Sequence, residues 1–296
     1  MSKGSVLWVV VVLCVAGCGG GGAGPDNQGP AIVGGPSSSN VTSTGASIQW
    51  STDTPCDSKV EYGKTTAYSD SSVSDQLVLE HAITLSNLAQ ETPYHYRVSS
   101  RDENGKAVVS ADRTFLTLSL AQDLVIQGWL LFESRNYSSA VGKFQQAHAQ
   151  EPHNVAVLEG LGWALLESYQ LEAGRVSLEE ALSLEPARLD CLVAGTLVYQ
   201  GLERYAEAIA TGEQALWLGG SSYVFAHDPE VTSADVRYCV VISLMATGDL
   251  TGALGQAKVI DPSIDLDPGD PSTWNGRTTF EEALLAVVEA LRLKVS

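Results

Sequence analysis

The chain has 296 residues, of which 35 are acidic and 17 basic, so its formal net charge at pH 7 is −18. This charge excludes a nucleic-acid-binding function, because the phosphate backbone repels an acidic surface and the sequence contains no stripe of basic residues. The length fits two domains of ordinary size.

Residues 1–17 have the anatomy of a secretory signal peptide. A short basic start precedes residues 6–15, an apolar run too short to cross a hydrocarbon core of roughly 30 Å, which takes about 20 residues. Small residues then lead into Cys18, an arrangement that resembles the lipobox of bacterial lipoproteins. The resemblance implies that Cys18 is acylated and anchors the mature chain to a membrane of the bacterial cell envelope. An ordinary signal peptide cleaved beside a cysteine by chance is the alternative.

A linker and a β-rich region follow the predicted anchor. Gly19, in place of an aspartate, implies the outer membrane if the sorting rule of enterobacteria applies. Residues 18–30 are rich in Gly and lack an apolar period, which predicts a flexible linker.

Between residues 31 and 118, short alternating runs are separated by turn residues, and Ile48 and Trp50 fall on one face of a strand. Several short strands about ten residues apart predict a β-sandwich.

This β-rich region resembles a known domain family. The positions typical of a fibronectin type III domain are Trp50, Leu88, Tyr94 and Tyr96. Residues 60–63 and 81–85 resemble the variant that precedes the catalytic domain of purple acid phosphatases. The resemblance implies an all-β fibronectin type III-like sandwich over residues 31–118, which serves as a spacer or as a binding module.

Residues 119–296 are predicted to form an all-α repeat domain. Three segments align without a gap in a 34-residue register: 121–154, 155–188 and 189–222. Small residues recur at two register positions: Ala140, Gly174 and Ala208, then Ala147, Ala181 and Ala215. This pattern resembles the tetratricopeptide repeat (TPR) family, whose unit is two antiparallel helices with small residues where they cross. The resemblance implies a TPR solenoid with a degenerate unit at about 234–262 and a capping helix at 279–293.

The TPR resemblance also implies a partner-binding groove. In that family, fixed positions of the first helix of each repeat line the groove, and here they are Trp129, Phe132, Glu133, Glu159, Trp163, Leu166, Leu197, Tyr238 and Ile242. An aromatic and aliphatic surface edged by acids suits a protein or peptide partner that has an apolar segment with basic flanks. The sequence leaves two alternatives, an open groove or one filled by the terminal helix or by the insertion at residues 221–232.

Catalytic motifs are missing from the sequence. No nucleophile elbow, zinc-protease motif, phosphate-binding loop or Cys-x-x-Cys pair occurs, and the metal-binding motifs of the phosphatase catalytic domain are absent. The acidic loop at 261–270 lacks the spacing of an EF-hand calcium site. We therefore predict that the protein is not an enzyme and needs no metal or cofactor.

The sequence favours a lipid-anchored envelope lipoprotein that acts as a protein–protein interaction scaffold through its groove. The β-sandwich would hold the groove away from the membrane. Two alternatives remain: binding of a glycan or cell-wall polymer by the fibronectin-like domain, and a role as accessory subunit of an envelope hydrolase. Cys191 and Cys239 are interpreted as packed thiols, with a disulfide between them as the alternative.

Overall fold

The computed structural model describes residues 29–295. The predicted signal peptide, the lipidation site Cys18 and nearly all of the predicted linker lie outside the described residues. Within the described range, no helix is both long enough and apolar enough to cross a bilayer.

The first part of the described chain is one antiparallel sheet of six strands. The strands are β1 (Ile32–Ser39), β2 (Ala46–Gly63), β3 (Asp70–Leu85), β4 (Pro93–Arg101), β5 (Ala107–Val109) and β6 (Arg113–Leu116). The first half of β2 pairs with β1 and its second half with β4, while β3 runs beside both halves. The pairing of β2 with β3 is irregular between Ser51 and Cys56. The two long strands, β2 and β3, therefore curl the sheet around its own hydrophobic core.

Alternating side chains fill the inside of this curled sheet. Ile48 and Trp50 from the first half of β2 share one buried cluster with Val60 from its second half and with Tyr96 on β4. The Trp50 indole donates a hydrogen bond to the Ser100 hydroxyl at 2.9 Å, so its polar atom is satisfied in the core. The predicted all-β character is confirmed, but the strands form one continuous curled sheet. The fibronectin type III topology stays a prediction.

Helices occupy the rest of the chain, as predicted. Four helical hairpins follow one another: α1 (Leu120–Glu133) with α2 (Tyr137–Gln150), α3 (Val155–Glu167) with α4 (Leu171–Leu184), α5 (Leu189–Gly201) with α6 (Tyr205–Gly219), and α7 (Ser233–Ala246) with α8 (Leu250–Ile260). Arg135, Tyr169 and Glu203, spaced 34 residues apart, each have a φ of 58–59° in the turn between the paired helices. The same turn thus recurs at the repeat interval found in the sequence.

Small side chains let the paired helices approach closely. Ala140, Ala208, Ala147 and Ala181 are fully buried, and a Cβ at Gly174 would lie 3.3 Å from the backbone oxygen of Gly162 on α3. At the end of the chain, α9 (Phe280–Val295) buries its own apolar stripe against α7 and α8 through Leu284, Val288 and Leu291. The described helices therefore form a TPR-like solenoid that ends in a covering helix.

Loops of the sheet are joined directly to the start of α1. Both the backbone N–H and the hydroxyl of Ser43 donate to the Asp123 carboxylate, at 3.2 and 2.8 Å. The backbone N–H of Leu118 donates to the carbonyl of Thr42 at 3.1 Å, and that of Leu120 donates to the Gln90 side chain at 3.1 Å. These bonds fix the sheet on the first helix.

Candidate partner-binding groove

The first helices of the four hairpins lie side by side and make one surface. Helix α1 contacts α3, α3 contacts α5, α5 contacts α7, and α9 continues the row beyond α7. We call this surface the inner wall. The positions predicted to line a groove lie on α1, α3, α5 and α7, so the structure brings them to one side of the solenoid.

The insertion between α6 and α7 folds over the first part of the inner wall. It contains two short paired strands, β7 (Val224–Phe225) and β8 (Asp228–Thr232), and we call residues 224–232 the strap. The Phe225 ring is fully buried and stacks on Trp163, with ring centroids 4.0 Å apart. The His227 ring lies parallel to the Trp129 indole at 3.8 Å. Each tryptophan thus has a strap residue on its face.

Polar side chains hold the strap at its tip and at its base. At the tip, His227 Nδ1 lies 2.8 Å from a Glu133 carboxylate oxygen, and the Arg135 guanidinium donates to Glu230 at 2.8 Å. The Arg135–Glu230 pair is largely exposed and the His227–Glu133 pair is partly exposed, so each ion pair contributes little to stability. At the base, the Tyr223 hydroxyl donates to Asp190 at 2.8 Å; burial and the Asp190 charge raise the pKa of Tyr223, which keeps the phenol protonated.

The first part of the predicted groove is therefore filled, and three of its residues need correction. Phe132 and Trp163 are buried because the strap and the neighbouring helices cover them. Glu159 is also buried, and its carboxylate accepts a bond of 2.6 Å from Arg188. None of the three presents a surface to a partner while the strap is in place. Of the two alternatives, the insertion fills this part of the groove.

Glu159 has a structural role in the described fold. Its carboxylate holds Arg188, which lies immediately before α5, and this bond raises the pKa of the Arg188 guanidinium. The thiol of Cys191 lies 3.6 Å from the same carboxylate, and burial raises its pKa. Such a thiol is poorly nucleophilic. Cys56, Cys191 and Cys239 are all free, so the alternative of a disulfide between Cys191 and Cys239 is not realised.

The other end of the inner wall is open. A groove of about 710 Å³ lies between α7 and α9, lined by Tyr238, Ile242, Met245, Leu285, Val288, Glu289, Arg292 and Leu293. We call it the open groove. Leu293 is 81 % exposed and Leu285 49 % exposed, although both are apolar. Tyr238 and Ile242 were predicted from the sequence, whereas Leu166 and Leu197 pack partly buried against the main core.

The wall that α9 contributes to the open groove was not predicted from the sequence. The C-terminal helix was predicted only as a cap, which needs one apolar stripe. In fact it carries a second stripe, because Leu285 and Leu293 lie outside the face formed by Leu284, Val288 and Leu291. Leu285 and Leu293, outside the capping stripe, were the sequence signal from which this second apolar face could have been predicted.

No protein-family model matches the chain, and no curated protein matches it. Among solved structures, the helical part is similar to MamA. A MamA structure labelled MSR-1 is 17 % identical, with 60 % of this chain and 98 % of that chain covered at a TM-score of 0.43. MamA from residue 41 onward from Desulfovibrio magneticus RS-1 is 20 % identical, with 46 % and 71 % covered at a TM-score of 0.39. These similarities are too distant to indicate a function.

Proposed function

We propose that the protein is a lipid-anchored scaffold of the bacterial cell envelope that holds a partner protein in the open groove. The observation that carries this proposal is the exposed apolar surface between α7 and α9, which no described segment covers. Its volume of about 710 Å³ can accept several side chains of a peptide segment. The wall supplies aliphatic side chains together with one aromatic ring, Tyr238.

The charge of the helical domain indicates which kind of partner segment would bind. Residues 119–296 contain 24 acidic and 10 basic residues, so the helical domain as a whole attracts basic segments. At the groove itself, Glu289 and Arg292 stand beside the apolar side chains of α9. A segment with apolar anchors and basic flanks fits this surface best, because its flanks are attracted while its anchors are desolvated.

The anchor and the sheet complete the proposal. Acylated Cys18 would hold the mature chain on the outer membrane, and the sheet would separate the solenoid from the lipid. Support for a fibronectin type III-like sheet comes from the strand pairing, which divides into two groups. One group is β1 with the first half of β2 and the end of β3. The other is the start of β3 with the second half of β2 and β4, to which β5 and β6 are added.

Site-specific photo-crosslinking tests the proposal on the full-length protein in its native membrane. A photoreactive amino acid at Leu285 should give a discrete crosslinked partner, because this side chain lines the open groove. The matched control is Leu184 at the end of α4, which is 45 % exposed but does not line the groove. Equal products at both positions, or none at Leu285, would contradict the proposal.

The other two functions stay predictions, and a second experiment separates them from the scaffold. If the full chain sediments with purified cell-wall polymer in the absence of other proteins, binding of a glycan gains support. If the protein captured at Leu285 is a cell-wall or phosphate-ester hydrolase, the role as accessory subunit gains support.

A further inference from the structure

We propose that the strap is a displaceable internal ligand and that it covers a second binding site. This site, on α1 and α3, takes a peptide with an aromatic side chain followed two positions later by a basic one. The inference goes beyond the open groove and does not depend on it, because the two surfaces share no lining residue.

The strap itself shows what this second site recognises. Phe225 ends β7 and His227 lies in the tight turn that leads into β8, so the hairpin turn brings the two rings to the same side of the strap. Both face the inner wall, where Trp163 and Trp129 stack on their rings, while Val224 is 52 % exposed. The site thus receives one apolar aromatic ring and one planar, ionisable ring in a fixed order.

The solenoid does not need the strap to keep its helices together. Helix α6 packs directly on α7, where a Cβ at Gly212 would meet the Val240 side chain. Helix α7 has its own start signal, a capping box between Thr232 and Asp235. In the described chain, the hydrogen bonds that join the strap to α1 and the turn after it come from side chains, not from the backbone. Displacement of residues 224–231, with Thr232 kept in place as the cap of α7, therefore leaves the contacts between the helices intact.

The strap also fits its site imperfectly. The buried Trp163 Nε1 has no hydrogen-bond partner, an arrangement that is costly for a donor removed from water. Burial, and after it the Asp228 charge, raise the pKa of Glu167. A cavity of about 330 Å³ remains between the tip and the turn after α1. A peptide that offers a hydrogen-bond acceptor to Trp163 Nε1 and has no acidic residue at the position of Asp228 would therefore bind this site more tightly than the strap does.

The groups that surround His227 favour a positively charged side chain at the corresponding position of a ligand. In the closed state, the Trp129 face and the Glu133 carboxylate both contact His227. When the strap is displaced, both become available to a ligand at the same time. A cation over an indole face is attracted by the ring and, in this case, also by the neighbouring carboxylate. Lysine, arginine or protonated histidine at this position therefore complements the site.

A competition measurement with the full chain tests the inference. The probe is a fluorescent peptide of residues 222–232 that carries Asp228→Lys. Because the wild-type strap competes for the site, the probe should bind the Phe225→Ala/His227→Ala double variant at least about tenfold more tightly than the wild type. The Val224→Ala variant is the matched control and should bind like the wild type. Equal affinity for all three proteins, or unchanged binding of a probe that also carries Phe225→Ala, would overturn the inference.

A second measurement covers the case in which the double variant does not fold. Hydrogen exchange of the wild type should show strap amides opening far more readily than the amides of α5 and α7. Saturating probe should accelerate exchange in the strap alone. If the strap and α7 exchange together, with or without the probe, the strap is a permanent part of the core and the inference is wrong.

Discussion

Phe144 occupies a gap that two glycines leave open between α1, α2 and α3. An added Cβ at Gly128 would lie 2.7 Å from the Phe144 ring, and one at Gly160 would lie closer still. The ring is fully buried and meets Trp129 edge to face, with ring centroids 5.1 Å apart. Because Gly128 and Gly160 have no side chains, the Phe144 ring packs between the helices. Its contact with Trp129 then fixes the position of a tryptophan that binds the strap.

The Gly160→Ala substitution should destabilise the protein. The new methyl group overlaps the fully buried Phe144 ring, and overpacking of this kind costs about 1–3 kcal/mol. The control is Gly142→Ala on α2, where nothing lies within 4 Å of the added carbon. That change should stabilise the helix by about 0.5–1 kcal/mol. Urea unfolding followed by far-UV circular dichroism measures both, and equal shifts would show that Phe144 adapts.

Glu167 should make strap closure depend on pH. Burial, followed by the Asp228 charge, raises the pKa of Glu167, while Arg135 opposes the shift and Tyr137 lies nearby. The charged form is therefore unfavourable in the closed state, and closure should strengthen as the pH falls from neutral toward 4.5 and Glu167 takes up its proton. Slower hydrogen exchange of the strap at pH 5 than at pH 7, after correction for the intrinsic rate, is the expected result. In Glu167→Gln this difference should shrink.

Among the secondary-structure elements, the helices were predicted from the sequence, whereas a groove filled by the insertion was only one of the alternatives that the sequence left open. The 34-residue register located the helical hairpins because small residues must recur wherever two helices cross. The strap has no period, and its position depends on Trp129 and Trp163, which lie more than 60 residues earlier in the chain. The sheet shows a similar limit. Residues 46–50 and 59–62 alternate as two separate strands, but the backbone continues between them as the single strand β2.

The junction between the sheet and α1 should couple their unfolding. Asp123→Ala removes the acceptor of two bonds from the buried Ser43, and the unsatisfied groups should cost about 1–3 kcal/mol. We expect calorimetry to show the wild type unfolding in one transition and the variant in two. Ser43→Ala, which removes only the hydroxyl bond, should give a smaller change. A single unchanged transition in both variants would show that this contact does not couple the two parts.

For the whole molecule, the predicted lipid anchor would have to overcome electrostatic repulsion from the membrane. The chain carries a net charge of −18 and would be repelled by anionic lipid, so the acidic solenoid gains nothing from approaching the surface. The sheet fixed on α1 keeps the two parts in one orientation to each other. The proposed membrane attachment would therefore depend on the predicted lipid alone.

Replacing Cys18 should remove that attachment. Labelling of growing cells with a fatty-acid analogue is expected to mark the wild type but not Cys18→Ser, which should also leave the membrane fraction. The matched control is Cys56→Ser, because Cys56 is a buried free thiol in the sheet and should not affect labelling. Equal label on the wild type and Cys18→Ser would refute the lipoprotein assignment.

The direct contact between α6 and α7 turns residues 224–232 into a grafting site. A foreign sequence of the same span placed there would meet the two indoles at a local concentration on the order of millimolar, without any partner in solution. Sequences that suit the site would protect their own amides and raise the melting temperature. A library of grafts ranked by thermal stability would therefore read out the preference of this surface even for ligands too weak to detect by ordinary titration.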